Sequence, residues 1–233
     1  MVENKEPVGR RSFLSRLGIG IAALGVGIGP GVRAQAQPAQ NGRFQPALHP
    51  QDDWLDQVKG IHRFVLDSTT PAGAGSAFLY ANNFFAANKS GYNLESSDLA
   101  IVIVLRHFAT PFAYTDAIWA KYGGGFSELL AFNDPKTKQP LAINVYNSSA
   151  YGMALPNFGT TVDSLIQRGV QFAVCDMATH FLAGALADKT HGNADAIYRE
   201  LAGNLVANSH LVSAGIVAVN RAQERGYSLA TVA

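Results

Sequence analysis

Gly169-Val170-Gln171-Phe172-Ala173-Val174-Cys175-Asp176-Met177-Ala178 is the stretch that decides the fold. Large β-branched or aromatic residues occupy every second position of 170–174, and a small residue fills the opposite side. This pattern predicts a short strand that is covered on both faces, as in a parallel sheet packed between helices. Asp176 is a residue type that caps helices, so we expect a helix to begin near Met177.

Cys175 is the only cysteine of the 233-residue chain. The pattern places it where the carboxyl end of a strand meets the amino end of a helix, which is the edge of an α/β sheet where ligands bind. Partial positive charge at a helix amino terminus favours the thiolate, the form that acts as nucleophile or metal ligand. Two interpretations stay open at this point: a reactive thiol, or a small buried hydrophobic residue.

Strands and helices alternate along the rest of the chain, which predicts an α/β fold with a mostly parallel sheet. The other strands are expected at 63–68, 98–106, 211–212 and 227–232. Helices are expected at 76–89, 115–122, 160–168, 178–187, 195–207 and 214–225. Residues 51–60 are expected to form a short helix or arm that is anchored by Trp54 and Val58.

The segment 123–159 is the least regular part of the sequence. We interpret it as an insertion over the site or a lid, with a possible strand at 142–146. Gly123-Gly124-Gly125 lacks the lysine and hydroxyl residue of a phosphate-binding loop and the spacing of a dinucleotide-binding turn, so we expect a flexible joint and no cofactor.

The amino terminus has the features of a twin-arginine export signal. Arg10-Arg11 precedes a glycine-rich apolar run at 17–32, and Ala34-Gln35-Ala36 offers a small-x-small cleavage site. The predicted organisation is therefore a signal peptide (1–36), a linker and arm (37–56) and an α/β domain (57–233). We expect the mature protein in a bacterial periplasm, with no stable membrane anchor once the signal is removed.

Charge excludes one class of partner. The chain has 18 Lys and Arg against 17 Asp and Glu, and the signal contains five of the former and two of the latter. The mature part therefore has a net charge near −2 and no basic run, which argues against nucleic-acid binding.

Several polar residues are expected to meet Cys175 at the carboxyl edge of the sheet. His107 follows the strand 98–106, Asp67 lies near the end of the first strand, and His180 lies in the helix after Asp176. One cysteine with two histidines suits Zn²⁺ or copper, although the usual ligand spacings are absent. A Cys-His hydrolase is possible by residue type alone. The candidate ligand-binding residues are Asp67, Asp176, Phe108 and Thr110, the last two beside a small apolar pocket.

Two motifs resemble the DsrE/DsrF-like family. The first is Gly169–Ala178, which is similar to the family's Gly-Val-x-Phe-x-Val-Cys strand before a helix. The second is Val212-Ser213-Ala214-Gly215-Ile216-Val217-Ala218-Val219-Asn220-Arg221-Ala222-Gln223-Glu224-Arg225-Gly226-Tyr227, which is similar to the segment that closes the family's chains. The resemblance spans about 63–232. It implies a flavodoxin-like three-layer sandwich, a tendency to oligomerise, and a cysteine persulfide carried at the position of Cys175.

The function expected from the sequence is a sulfur carrier that uses Cys175, with His107 and His180 tuning the thiolate. Its partners would be a sulfur donor or acceptor protein, or a small sulfur compound. The alternative is a module that binds a small ligand or partner without turnover under the segment 123–159. A Cys/His metal site ranks below both.

We predict a homo-oligomer in solution. The closing strand has no charged side chain from Gly226 onward, and an uncharged sheet edge invites pairing. The apolar residues of 126–132 are expected near the contact. Light scattering on the protein at micromolar concentration should give a multiple of the chain mass, and a monomer mass across a hundredfold dilution would exclude the oligomer.

Overall fold

The structure is a computed structural model that describes residues 44–233; the predicted signal peptide lies outside them. The strands of this part are β1 (His62–Ser68), β2 (Leu99–Leu105), β3 (Gln171–Cys175), β4 (Ser209–Val212) and β5 (Ser228–Val232). The helices are α1 (Trp54–Gln57), α2 (Pro71–Tyr92), α3 (Asp116–Leu130), α4 (Val162–Gln167), α5 (Asp176–Thr190), α6 (Ala194–Ala202) and α7 (Gly215–Glu224). Short 3₁₀ turns include His107–Ala113 and Val145–Asn147.

The strands of residues 44–233 form one parallel sheet in the order β4-β3-β2-β1-β5. The chain steps one strand at a time from β1 to β4, and β5 then returns to the free side of β1. The predicted α/β fold is confirmed. Residues 46–233 make up a single compact unit.

Helices cover both faces of the sheet, as expected for a three-layer sandwich. One face packs against α2, α3, α4 and α5 through residues such as Leu66, Ile103 and Phe172. The opposite face packs against α7 and α1 through Val65, Val104 and Ala173. Successive side chains of a strand point to opposite faces, which is why neighbours along β3 belong to different layers.

The predicted arm forms α1 and packs on the α7 side of the sheet. Leu55 and Val58 are buried there. The hydroxyl of Tyr227 donates to the carbonyl oxygen of Leu55 at 2.7 Å, and Arg225 Nε donates to Asp56 Oδ2 at 3.0 Å. The arm is therefore tied to the last part of the chain.

Helix α2 begins at Pro71, five residues before the start that the sequence predicted. Thr70 caps the helix by accepting from the backbone N–H of Gly73 at 2.9 Å, and Pro71 occupies the first turn, where its missing N–H costs nothing. Gly75 lies in this turn because a Cβ there would come within 2.6 Å of the Tyr146 ring. Close packing, which the sequence does not reveal, explains the glycine.

The predicted flexible joint and the strand at 142–146 are both wrong. Gly123-Gly124-Gly125 lies inside α3, and 3₁₀ turns replace the strand. A Cβ on Gly123 would lie 1.9 Å from the carbonyl oxygen of Leu141. The glycine thus lets the segment after α3 pack directly on the helix.

The segment 123–159 belongs to the core of its own domain. Phe126, Val145 and Tyr146 are fully buried in the layer of α2 to α5, and Leu129 and Phe132 pack against it. An oligomer contact centred on 126–132 is therefore not supported. The oligomer itself stays a prediction, with β5 as an outer strand of the sheet.

The glycine triplet gives a test of this packing. Gly123→Ala should lower the free energy of unfolding by about 1–3 kcal/mol, because the new methyl collides with backbone that cannot move freely. Gly124 has open space around its Cα, so Gly124→Ala should raise stability by about 0.5–1 kcal/mol through the better helix propensity of alanine. Urea unfolding of both variants measures the difference. Equal changes in the free energy of unfolding for the two variants would contradict the packing of α3 described here.

Candidate functional site

Register brings three chemically useful side chains to one face at the carboxyl edge of the sheet. Asp67, Arg106 and Cys175 each come two residues after a residue that packs on the α7 side of the sheet. Those earlier residues are Val65, Val104 and Ala173. Because β1, β2 and β3 are adjacent, their ends lie side by side. Period-two alternation thus directs all three side chains toward α7.

Arg106 and Asp67 form a bidentate ion pair. Arg106 Nε donates to Asp67 Oδ1 at 2.7 Å, and Nη2 donates to Oδ2 at 2.9 Å. The hydrogen bond to Asp67 raises the pKa of Arg106; partial burial opposes this, and the charge of Cys175 adds a smaller increase. A paired guanidinium has few orientations available, so it keeps a fixed position at the cavity that Arg106 and Cys175 both line.

Cys175 itself caps helix α5, which begins one residue earlier than the sequence predicted. Its Sγ accepts a hydrogen bond from the backbone N–H of Ala178 at 3.4 Å, and Asp176 is the first helical residue. The predicted capping role of Asp176 is therefore wrong. Only 6% of Cys175 is exposed, and the sulfur lies where the partial positive charge of α5 is strongest.

Buried hydroxyl groups hold the backbone of Cys175 in place. Thr179 Oγ1 donates to the carbonyl oxygen of Cys175 at 3.0 Å. Thr179 Oγ1 in turn accepts from the hydroxyl of Tyr114 at 2.9 Å. Burial raises the pKa of Tyr114 far above its ordinary value, so this hydroxyl keeps its proton and remains a donor.

The amino end of α7 approaches the same place. Gly215 is its first residue, and a Cβ there would come within 2.5 Å of Arg106 Cβ. Ala214 precedes it at the capping position and has no side chain that could accept a hydrogen bond. The first backbone N–H groups of α7 therefore remain available to a ligand.

A cavity of about 300 Å³ lies between these elements. Its exposed rim is apolar: Met177, Phe181 and Ile216 are 68%, 58% and 57% exposed. Deeper in the cavity are Arg106 and Cys175. The remaining lining residues among those described are His107, Ala178, Ala214 and Gly215, so no carboxylate belongs to the lining.

His107 lines this cavity beside Cys175, as the sequence predicted. Its backbone has a φ of +53°, in the left-handed region that is uncommon for residues other than glycine. Its ring stacks on Phe108, with 4.1 Å between centroids.

His180 and Asp176 face a neighbouring part of the surface. The ring of His180 stacks on that of Tyr198 at 3.8 Å, and its Nε2 lies 3.8 Å from Asp176 Oδ2. Asp176 Oδ1 accepts from the hydroxyl of Tyr198 at 2.8 Å. Neither residue lines the cavity, so the structure groups them with Tyr198 on α6.

The other predicted binding residues do not line the cavity, and they contact residues next to it. Asp67 holds Arg106, as described above. Thr110 is fully buried, and its hydroxyl donates to the carbonyl oxygen of Leu105 at 3.3 Å. Phe108 is partly buried and packs against the core layer of α2 to α5.

Sequence reasoning missed Arg106, Met177, Phe181 and Gly215 as site residues. Arg106 had a recognisable signal, because it directly follows the strongest strand of the sequence. Gly215 had none, because its role depends on the approach of α7 to Arg106.

The Cys-His-His metal set is not assembled. Within residues 44–233 there is no group of three or more His, Cys, Asp or Glu side chains positioned for a metal ion. In the same part of the chain, no helix combines the length and apolar character that crossing a membrane requires.

A second cavity of about 630 Å³ lies at the opposite, amino edge of the sheet. Trp54 stacks on His210 there, with 4.0 Å between ring centroids, and His210 Nε2 is 3.0 Å from Gln171 Oε1. Burial lowers the pKa of His210. We choose the smaller cavity as the candidate site because it is lined by Cys175 and by Arg106, the partner of Asp67.

The strand order reverses between β1 and β5, the position where ligands of open α/β sheets commonly bind. Here the crevice is narrow: a Cβ on Gly73 would lie 2.6 Å from the carbonyl oxygen of Val232. The end of β5 thus packs against the start of α2. This leaves the ends of β2 and β3 as the open part of the carboxyl edge.

Comparison with known proteins identifies no relative of this chain. A scan of protein-family models, a search of curated proteins and a search of solved structures each return no match.

The charge at the cavity can be measured through Cys175. Arg106 and the α7 amino terminus should make the thiol react faster with iodoacetate, an anion, relative to neutral iodoacetamide. Arg106→Gln should lower this ratio of rates by roughly two- to fivefold, the effect of a unit charge at contact distance in water. Asp67→Asn/Arg106→Gln, which removes both charges of the ion pair, should lower the ratio less than the single substitution.

Lys59→Gln is the matched control for that experiment. Lys59 is an exposed cation at the amino edge of the sheet, so its removal changes the net charge equally but leaves the ratio unchanged. Equal ratios in the Arg106 variants and the wild type would show that the guanidinium does not act on the cavity.

Proposed function

We propose that this protein is an exported sulfur carrier that holds a persulfide on Cys175. The observation that carries the proposal is the position of the Cys175 sulfur. The sulfur accepts a hydrogen bond from a backbone N–H at the start of α5. Cys175 also lines an open cavity together with Arg106. The positive end of the α5 dipole lies at the sulfur, and the Arg106 guanidinium, paired with Asp67, lines the same cavity.

The resemblance to the DsrE/DsrF-like family and the twin-arginine motif supply the rest of the proposal. The first suggests the sulfur chemistry and an oligomer, and the second suggests a periplasmic location. In an oxidising compartment the lone cysteine has no second cysteine in its chain with which to form a disulfide, so it is available for exchange with other sulfur compounds.

The transfer step needs no oxidant. The Cys175 thiolate attacks the outer sulfur of a donor persulfide, R–S–SH. The sulfur–sulfur bond of the donor breaks, a new one forms at Cys175, and the thiolate R–S⁻ leaves. Delivery to an acceptor is the same exchange in reverse, with a different thiolate as the attacking group.

The neighbouring residues divide the supporting roles. Arg106 attracts the anionic donor and stabilises the terminal sulfur of the persulfide. His107, at the cavity wall, accepts or returns the proton of the thiol. The α7 amino terminus supplies further N–H donors. His180 acts at most indirectly, through Asp176, on the first turn of α5.

A module that binds a ligand without turnover is the second candidate. The observation in its favour is the exposed apolar rim of Met177, Phe181 and Ile216, which is suited to a small ligand or a partner surface. The segment 123–159, proposed from sequence as the cover of such a ligand, contributes no lining residue to the cavity. In this case Cys175→Ser would leave function intact.

Alkylation tests the reactive thiol. The native protein should react with iodoacetamide at pH 7 several times faster than the same chain unfolded in urea, although Cys175 is almost buried. A native thiol that is no faster than the unfolded one at pH 7 would identify Cys175 as a packing residue.

Intact mass measurement tests the carrier role itself. Protein isolated from its own compartment, or incubated with a persulfide donor, should gain the mass of one sulfur atom, and dithiothreitol should remove it. Cys175→Ser should lack the gain while keeping its fold, since serine is a good capping residue. Failure of the wild type to take up sulfur from any donor would overturn the proposal.

A further inference from the structure

The cavity of about 630 Å³ at the amino edge of the sheet is separate from the one at Cys175. Among the described residues, the two cavities have no lining residue in common. Helix α1, the end of α4 and the first residues of β3 and β4 surround the larger one, and Val58 and Leu99 add buried apolar surface to it. Pockets that bind small molecules measure about 300–1,000 Å³, so this cavity has room for a ligand of its own.

We infer that this cavity binds a small organic acid that contains a flat ring. The ring packs on Trp54, and the acid group lies at Arg168. The inference does not depend on the proposed sulfur transfer, because Cys175 lies at the opposite edge of the sheet.

Two stacked rings form one wall of the cavity. The rings of Trp54 and His210 are nearly parallel, with 10° between their planes and 4.0 Å between centroids. Gln171 fixes the orientation of His210: its Nε2 donates to the carbonyl oxygen of Gly169 at 3.1 Å, so its Oε1 accepts from His210 Nε2 at 3.0 Å. Trp54 is only partly buried where it lines the cavity. A third ring can therefore pack on the open part of this stack.

The charge of the lining favours an anion. Arg168 and Lys59 line the cavity, and no Asp or Glu is among its described lining residues. Burial lowers the pKa of His210, so the ring stack itself is uncharged at neutral pH. A ligand with a negative group would balance the two cations, whereas a cationic ligand would be repelled.

Arg168 is the cation that lacks a counter-charge. Its Nη1 donates to Asn82 Oδ1 at 2.8 Å, and its guanidinium lies 4.0 Å from the centre of the Phe85 ring. Both of these partners are neutral. Burial lowers the pKa of Arg168, and no carboxylate within residues 44–233 offsets this effect. The acid group of a ligand would supply the missing charge and accept hydrogen bonds from the guanidinium.

The end of α4 leaves this position open to an anion. The carbonyl oxygens of Leu165 and Ile166, in its last turn, already accept hydrogen bonds from N–H groups of the chain. Their partial negative charge is thus partly compensated. Hydroxyl and amide side chains that can donate to carboxylate oxygens complete the polar lining: Gln57, Ser96, Ser97 and Gln167.

Titration calorimetry with naphthoate, and with its uncharged counterpart naphthamide, tests the site. The purified full-length chain should bind one naphthoate. The amide should bind at least about fivefold more weakly, since a unit charge at contact distance is worth that much even in water. Arg168→Gln should remove this preference by weakening naphthoate binding to the same degree, while Arg168→Lys, which keeps the charge, should retain most of it.

Two further variants separate charge from ring contact. Trp54→Leu should weaken the binding of acid and amide alike, because it removes only the stacking surface. Arg199→Gln is the matched control for Arg168→Gln, because Arg199 is an exposed arginine of α6 that does not line the cavity. It should bind both compounds like the wild type. Urea unfolding checks that each variant is folded.

Three results would overturn the inference: no saturable binding of naphthoate, equal affinity for acid and amide, or wild-type naphthoate binding by Arg168→Gln. Weaker binding by Arg106→Gln in place of Arg168→Gln would put the probe in the Cys175 cavity and would overturn it as well. The sulfur carrier is tested separately. A chain that takes up sulfur without binding naphthoate would keep the carrier and lose this site, and the reverse result would do the opposite.

Discussion

The parallel pairing of β1, β2 and β3 is the constraint on which the site depends. The register aligns Asp67 with Val104 and Leu105 with Val174. A slip of one residue in any of the three strands would turn its last side chain toward the opposite layer. The core enforces the register, because the same slip would move the large residues that pack under α2 to α5 into the α7 layer and put smaller ones in their place.

Two helices then complete what the strands begin. Helix α5 starts immediately after β3, so its first turn meets the sulfur without a connecting loop. Helix α7 reaches Arg106 only because its first residue is glycine. The bidentate pair with Asp67 fixes the orientation of the guanidinium. The site is therefore built by secondary-structure ends, with little contribution from long loops.

The sequence was most informative where one type of residue is repeated in a regular pattern. The unbroken β-branched run of β2 and the alternation of large and small residues in β3 predicted buried strands correctly. The position of Cys175 at a strand end indicated it as a candidate site residue. The predictions at Gly75 and Gly123 were wrong, since a glycine inside a helix resembles a helix break until its packing neighbour is known. Arg106 had a signal of its own at the end of the strongest strand, but its pairing with Asp67, 39 residues earlier, could not be predicted from the sequence.

The position of β1 has a consequence for how the protein is made. It is flanked by β2 on one side and by β5 on the other, and its Phe64 aligns with Ser228. The arm before it is likewise tied to Arg225 and Tyr227. During synthesis β1 therefore cannot complete its pairing until the last residues of the chain have been made. Such long-range closure slows folding, and until it occurs the layer that covers Cys175 does not exist. The thiol is at its most vulnerable to oxidants and to stray metal ions in the unfinished chain.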